Sequence, residues 1–252
     1  MGEGAVTIVT GSSRGIGRAA AELLAARGHR VVISSRSQES CDAVAEAITG
    51  AGGQAAAIAC HVGKEEQLSA LVEQTVARFG RLDNLVLNAA SNPVYGPSEN
   101  VDREAFDVIM HNNVFGSLRL SHLARPHLAR AGSGTVVLVS SIAGTLGNRV
   151  IGTYGLSKAA ENQLVRNLAL EFGADGIRVN AVAPGLIRTD FSKALLADER
   201  AVAHFEKTTP LGRIGEPDDI ARIIAFLAGP DSAWLSGQVI TADGGLSVTG
   251  GF

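Results

Sequence analysis

Along nearly its whole length this chain alternates short, β-branched apolar runs with stretches of helical periodicity, and few architectures accept that pattern. The runs fall at residues 5–10, 30–35, 54–60, 83–87, 135–140, 177–183 and 238–241. They are close to continuously apolar, as strands covered on both faces are, instead of alternating as half-solvated strands do. Helical stretches lie between them, up to about residue 26, over about 39–51, 65–79 and 103–131, onward from Tyr154, and over about 217–228. Strand–helix–strand units of this kind cross over right-handed and place helices on both faces of a parallel sheet. An α/β chain with a doubly wound, parallel, seven-stranded sheet is expected.

The first strand–helix junction says what such a sheet holds. Gly11-Ser-Ser-Arg-Gly15-Ile-Gly17 joins the first run to an alanine- and leucine-rich helix. Glycines there let backbone approach a pyrophosphate, which free N–H groups and the helix dipole stabilise. Gly11, Ser13, Arg14, Gly15, Ile16 and Gly17 are thus candidate cofactor contacts, and the fold expected is a single-domain Rossmann fold. The same turn also serves with no ligand. The second run ends in Ser35-Arg36, where a fold preferring NAD carries an acidic residue for the adenosine ribose. Arg36 and Arg14 instead offer two cations to a 2′-phosphate, with Ser35 as a further donor, so NADP(H) is expected in preference to NAD(H).

The chemistry is expected between Ser141 and Lys158. The run at 135–140 places Ser141 at a strand's carboxyl end, where open parallel sheets bind ligands. Tyr154 and Lys158 stand four apart, one helical turn from each other on one face. A phenol with a reference pKa near ~10 is a poor acid or base at neutral pH, and a neighbouring cation should draw it toward the working range. Ser141 adds a hydroxyl that can hold a carbonyl or alcohol oxygen as charge develops. Asn112-Asn113 sits inside the helical stretch 103–131 against propensity, and either interrupts the helix or holds a water against Lys158.

Composition narrows the class. The formal net charge is −3 with no block of like charge, so neither nucleic acid nor an anionic membrane is an expected partner. Cys41 and Cys60 have neither metal-ligand nor disulfide-framework spacing; no metal is expected, and reduced thiols in a cytoplasm are. No apolar run reaches the ~18 residues of a membrane span, and neither a signal peptide at the first residues nor an address signal at 249–252 is expected.

From about Ala5 to Gly245 the sequence resembles the classical short-chain dehydrogenase/reductase family. The cofactor turn matches Thr10-Gly11-x-x-x-Gly15-Ile16-Gly17; the helical asparagine matches Asn113 in Asn113-Val-Phe-Gly116; the serine matches Ser141; the Tyr-x-x-x-Lys pair matches Tyr154 and Lys158; and the motif facing the nicotinamide matches Pro184-Gly185. The resemblance implies hydride transfer between NADP(H) and a carbonyl or secondary alcohol. Asn113, Ser141, Tyr154 and Lys158 would be the catalytic tetrad: Tyr154 as acid/base, Ser141 holding the oxygen, Lys158 tuning the tyrosine and binding the ribose, Asn113 anchoring a water. It also places Asn88, Ala89, Ala90, Ile187 and Thr189 along the cofactor. Here Leu87-Asn88-Ala89-Ala90 stands for the family's Asn-Asn-Ala-Gly, and His61-Val62 stands where many members put an aspartate beside adenine. His61 is then an adenine contact or a solvated loop residue. Short peptides at 60–64, 88–93 and 184–189 resemble the NADPH-dependent carbonyl/retinal reductase branch.

One dinucleotide-binding catalytic domain over 1–252 is expected, with a substrate flap at about 187–210 where the sequence turns charged and uneven. Its walls would be residues 92–95, 143–151, Leu186 and part of the flap, a largely apolar set suited to a medium-sized ketone, aldehyde or secondary alcohol. Homotetramers follow from the resemblance at Ser232-Ala-Trp-Leu-Ser-Gly237 and Asp243-Gly-Gly245. The competing readings are a non-catalytic dinucleotide-binding regulator, a 3-oxoacyl-thioester reductase, and a related lyase or epimerase.

Overall fold

The computed structural model describes residues 4–248, so the tail at 249–252, expected to carry no address signal, lies outside the described residues. Seven strands form the sheet: β1 (Val6–Thr10), β2 (Arg30–Ser34), β3 (Gln54–Ala57), β4 (Asn84–Leu87), β5 (Thr135–Val139), β6 (Arg178–Pro184) and β7 (Val239–Ala242). Every pairing is parallel, in the order β3-β2-β1-β4-β5-β6-β7. This is the doubly wound Rossmann sheet expected from the alternation.

Successive strand residues feed opposite layers. Ile8, Leu85, Leu87, Val136 and Leu138 join one core, against α3 (Glu65–Phe79), α5 (Gly116–Arg130) and α6 (Gly152–Phe172). Val9, Val86, Val137 and Val139 join the other, against α1 (Gly15–Ala26), α2 (Gln38–Gly50) and α9 (Pro217–Ala228). Because both layers are apolar, both faces of a strand must be apolar, and each large side chain so buried contributes about 1.5–3 kcal/mol. Local signals end the helices where they should. Glu65 and Glu66 open α3, Arg78 closes it, and Gly80 caps it at φ 76°. Pro217 starts α9 within a capping box made by Glu216 and Asp219.

Two expectations change. The run at 54–60 yields only four residues of regular strand; beyond Ala57 the amides of Ile58 and Cys60 still donate to Ile33 O at 3.0 Å and Ser35 O at 2.8 Å. The helical stretch 103–131 is not one helix. α4 (Arg103–Met110) passes through a π turn (His111–Phe115) into α5. Between β6 and α9 lie a short turn (Asp190–Ser192), α7 (Lys193–Leu196) and α8 (Glu199–Thr208), and no residue of α7 or α8 is buried.

Candidate active site

The strand order reverses between β1 and β4, and the crevice beyond their carboxyl ends is where such sheets bind dinucleotides. A cavity of about 1130 Å³ opens there and runs from the β1–α1 turn to α6 and the segment after β6.

At one end the turn is built for close approach. Gly15 has φ 56°, a conformation that favours glycine. A Cβ on Gly17 would lie 2.5 Å from both Gly11 O and Asn88 Nδ2. Asn88 fixes the turn from β4 by donating to Thr10 O at 3.0 Å and Gly11 O at 3.1 Å, while Thr10 Oγ1 accepts from the Asn88 and Ala89 amides. Helix α1 begins with no side-chain cap and no acidic residue in its first turn, so its free N–H groups and positive dipole end meet the cavity unopposed. Gly11, Ser13, Arg14, Gly15 and Ile16 line the cavity; Gly17 lies behind them, shaping the turn.

Ser35 and Arg36 line the same end, as do His61 and Val62 from beyond β3. Arg36 is exposed. Arg14 reaches Asp190 at 3.4 Å, with both side chains largely exposed (69% and 62%), a contact too solvated to hold Arg14 away from an anion. The Ser35 hydroxyl lies 3.2 Å from Cys41 Sγ, and His61 Nδ1 accepts from Gly63 N at 3.0 Å. Ala89, Ala90, Pro184, Gly185, Ile187 and Thr189 carry the lining toward the other end. A glycine cradle and an uncapped helix start at the edge of a long cavity fit a nicotinamide dinucleotide.

At the far end Ser141, Tyr154 and Lys158 converge on the cavity. Ser141 Oγ accepts from Ala143 N at 3.1 Å, which orients the hydroxyl and leaves its proton for an oxygen in the cavity. Tyr154 is 7% exposed, and the Lys158 ammonium lies 5.3 Å from its ring centroid. Lys158 Nζ donates to Val139 O at 2.9 Å and reaches the Glu161 carboxylate at 2.8 and 3.1 Å. The charges differ from expectation. Burial pushes the Tyr154 phenol above its usual range; Lys158 draws it down, Glu161 pushes it up, and the net is upward. Burial disfavours the Lys158 ammonium, but Glu161 and Tyr154 outweigh that and hold its pKa above the usual lysine range. Burial likewise raises the Glu161 carboxyl, against the pull of Lys158.

Asn113 is fully buried and does not line the cavity. Its side chain is spent on structure: Oδ1 accepts from Ser91 N at 2.7 Å, and Nδ2 donates to Ser91 O at 3.1 Å and Ser157 Oγ at 3.0 Å. It ties the loop after β4 to α6 from within the π turn, and a π turn skips a carbonyl in the helical ladder.

The walls are mostly those expected. Tyr95, Leu146, Val150, Ile151, Leu186, Phe191 and Phe205 enclose the cavity beside Tyr154, with Asn148 among them, whereas Asn92 and Arg149 do not line it. Phe191 packs on Tyr154 at 5.4 Å between centroids, and Tyr95 donates its hydroxyl to Phe191 O at 3.1 Å. Glu161, Ser91 and Ser157 were missed from sequence. Only Glu161 left a trace there, a carboxylate three positions beyond Lys158 on the helix face that holds Tyr154.

Such a crevice with a proton-transfer group at one end defines a class, the oxidoreductases that use a nicotinamide dinucleotide. Comparison with known proteins makes the class specific. The model of a family described as enoyl-(acyl carrier protein) reductase matches residues 11–247. Dehydrogenase/reductase SDR family member 4 of Bos taurus is 39% identical over 240 residues, covering 95% of this chain and 86% of that one. A tropinone reductase homologue of Arabidopsis thaliana is 37% identical over 247 residues, covering 98% and 94%. Among solved structures, a 7α-hydroxysteroid dehydrogenase complexed with NADH and 7-oxo glycochenodeoxycholic acid superposes with a TM-score of 0.92 at 35% identity, covering 96% of this chain and 94% of that one. A gluconate 5-dehydrogenase from Burkholderia cenocepacia in complex with NADP and tartrate gives 0.94 at 29% identity, covering 98% and 97%. The chain belongs to the short-chain dehydrogenase/reductase family, and is an oxidoreductase acting between CH–OH and C=O.

Proposed function

We propose that this chain is an NADP(H)-preferring carbonyl reductase or alcohol dehydrogenase for a medium-sized, largely apolar ketone, aldehyde or secondary alcohol. One observation carries the reading: Tyr154, Lys158 and Ser141 line the apolar end of the cavity that Arg36 lines at the other. No carboxylate ends β2, so a 2′-phosphate finds a guanidinium there where a bare ribose would lack its usual acceptor.

The bound dinucleotide supplies or accepts the hydride. In reduction Tyr154 gives its phenolic proton to the carbonyl oxygen, and in oxidation it takes a proton back from the alcohol. The Ser141 hydroxyl donates to that same oxygen and steadies the charge developing on it. Lys158 stabilises the phenolate left behind. Asn113 holds the Ser91 loop and α6 in register, so that these groups keep their places. We read the whole chain as one catalytic unit, with 187–210 as a flap over Tyr154. Two unpaired, buried thiols suit a reducing cytoplasm, and among the described residues no helix is long and apolar enough to cross a membrane. A homotetramer is in keeping with Leu156 and Leu170 standing 59% and 85% exposed on the outer side of α6.

The test is fluorescence titration with NADPH and NADH, run beside a panel of carbonyls followed by NADPH absorbance. NADPH should bind more tightly and some ketone should be reduced. Tyr154→Phe should bind NADPH as the wild type does and lose about 10²–10⁴-fold in turnover. A variant that turns over normally removes Tyr154 from the mechanism, and tighter NADH binding removes the cofactor assignment.

A further inference from the structure

Glu161, buried against Lys158, is left without a task by hydride and proton transfer alone. Both side chains are almost wholly enclosed, at 2% and 3% exposure. Burying a carboxylate there costs solvation that an apolar side chain at the same place would not lose. Its contacts are specific nonetheless. Both oxygens of Glu161 face Nζ, and the Val139 carbonyl at the end of β5 faces it too.

A lone ammonium beside a phenol favours the phenolate and moves its titration toward neutrality. A carboxylate bonded to that ammonium turns a full positive charge into a nearly neutral dipole as the phenol sees it. The surroundings supply no replacement charge. Lys158, Glu161 and Tyr95 are the ionisable groups acting on Tyr154, Lys158 itself is acted on by Glu161 and Tyr154, and Glu161 by Lys158 alone. Neighbours from other elements are neutral: the Val139 carbonyl from β5, the Ser140 hydroxyl bonded to Asn162, and the Asn113 amide bonded to Ser157.

We propose that Glu161 is a positioning residue that clamps Lys158 against Val139 and cancels much of its charge, so that Tyr154 stays in its proton-donating form through neutral pH. Carbonyl reduction, which needs the phenol, then runs across the neutral range, and alcohol oxidation, which needs the phenolate, turns on only at alkaline pH. This rests on the reading of Tyr154 as the acid/base.

The chain has two tyrosines, so tyrosinate absorbance of the wild type minus that of Tyr154→Phe isolates Tyr154 in the free protein, with no substrate or cofactor. The wild-type midpoint should lie at or above the ordinary tyrosine value of ~10. In Glu161→Gln it should fall by about one pH unit or more, a tenfold rise in phenolate at fixed pH. Glu161→Asp, which keeps the charge, should stay close to the wild type. The alkaline limb of alcohol oxidation should move with the absorbance midpoint. An unchanged midpoint in Glu161→Gln overturns the proposal. If that variant does not fold, the wild type decides alone, since a Tyr154 midpoint below about 9 leaves Glu161 nothing to explain. Failure to turn over any carbonyl would fall on the proposed function instead, and the absorbance titration would still read Glu161.

Discussion

A polar side chain buried among apolar ones needs a partner for each polar atom, and in His29 one atom lacks it. Its ring is 3% exposed, Nδ1 meets Thr7 Oγ1 at 2.9 Å, and Nε2 is buried without a partner. Burial holds its pKa below the usual histidine value, against the pull of Asp83. The neutral ring's share of stability is therefore complete above the unfolded pKa of ~6.5 and is lost as pH falls toward the folded value. Thermal melts from neutral to mildly acid pH should show the wild type losing ground to His29→Gln below about pH 6.5; a constant gap between the two would mean that His29 does not titrate on unfolding. The same physics made Glu161 hard to read from sequence. A carboxylate next to a helical lysine reads as a solvated surface pair until the helix is seen to bury that face. Tyr154, Lys158 and Ser141 were legible because their chemistry depends on residue type and spacing, whereas the upward shift of the phenol depends on burial, which spacing does not report.

The strands were legible as elements because two apolar layers demand apolar residues on both faces; their ends shifted by one residue along the sheet and by three at β3. The π turn at His111–Phe115 was not. It differs from α-helix by one hydrogen-bond step, and its only sequence trace was an asparagine pair in a helical stretch. The β1–α1 turn carries the element-scale prediction. A glycine inside a helix ordinarily costs up to about 1 kcal/mol relative to alanine, so Gly17→Ala would stabilise a helix with room for it. Here the new Cβ would press on the Gly11 carbonyl, which is backbone and cannot swing away. The variant should melt lower, by an overpacking cost of about 1–3 kcal/mol, and bind NADPH more weakly. A raised melting temperature would show that the turn yields without loss.

At the scale of the whole molecule, the outer surface carries apolar groups that a monomer gains nothing by showing to water. The single tryptophan, Trp234, is 99% exposed, as Leu170 is to 85%. If the chain assembles as its resemblance implies, sedimentation should give four times 26.0 kDa, and covering of Trp234 should shift its emission to the blue and shield it from a soluble quencher. A monomer with a fully quenchable tryptophan would contradict the assembly. The reversal of strand order between β1 and β4 has a further consequence. Arg14, Ser35, Arg36 and His61, proposed for the adenosine end, come from the half of the sheet built on β1, β2 and β3, whereas Ser141, Tyr154 and Lys158, proposed to act on the substrate, come from β5 and α6. The two halves meet in the β1–β4 ladder, where α1 packs on α9, and where Asn88 grips the glycine turn. Cofactor choice and substrate choice thus rest on separate stretches of chain, so substitutions at Ser35 or Arg36 should alter the dinucleotide bound and leave the carbonyl accepted unchanged.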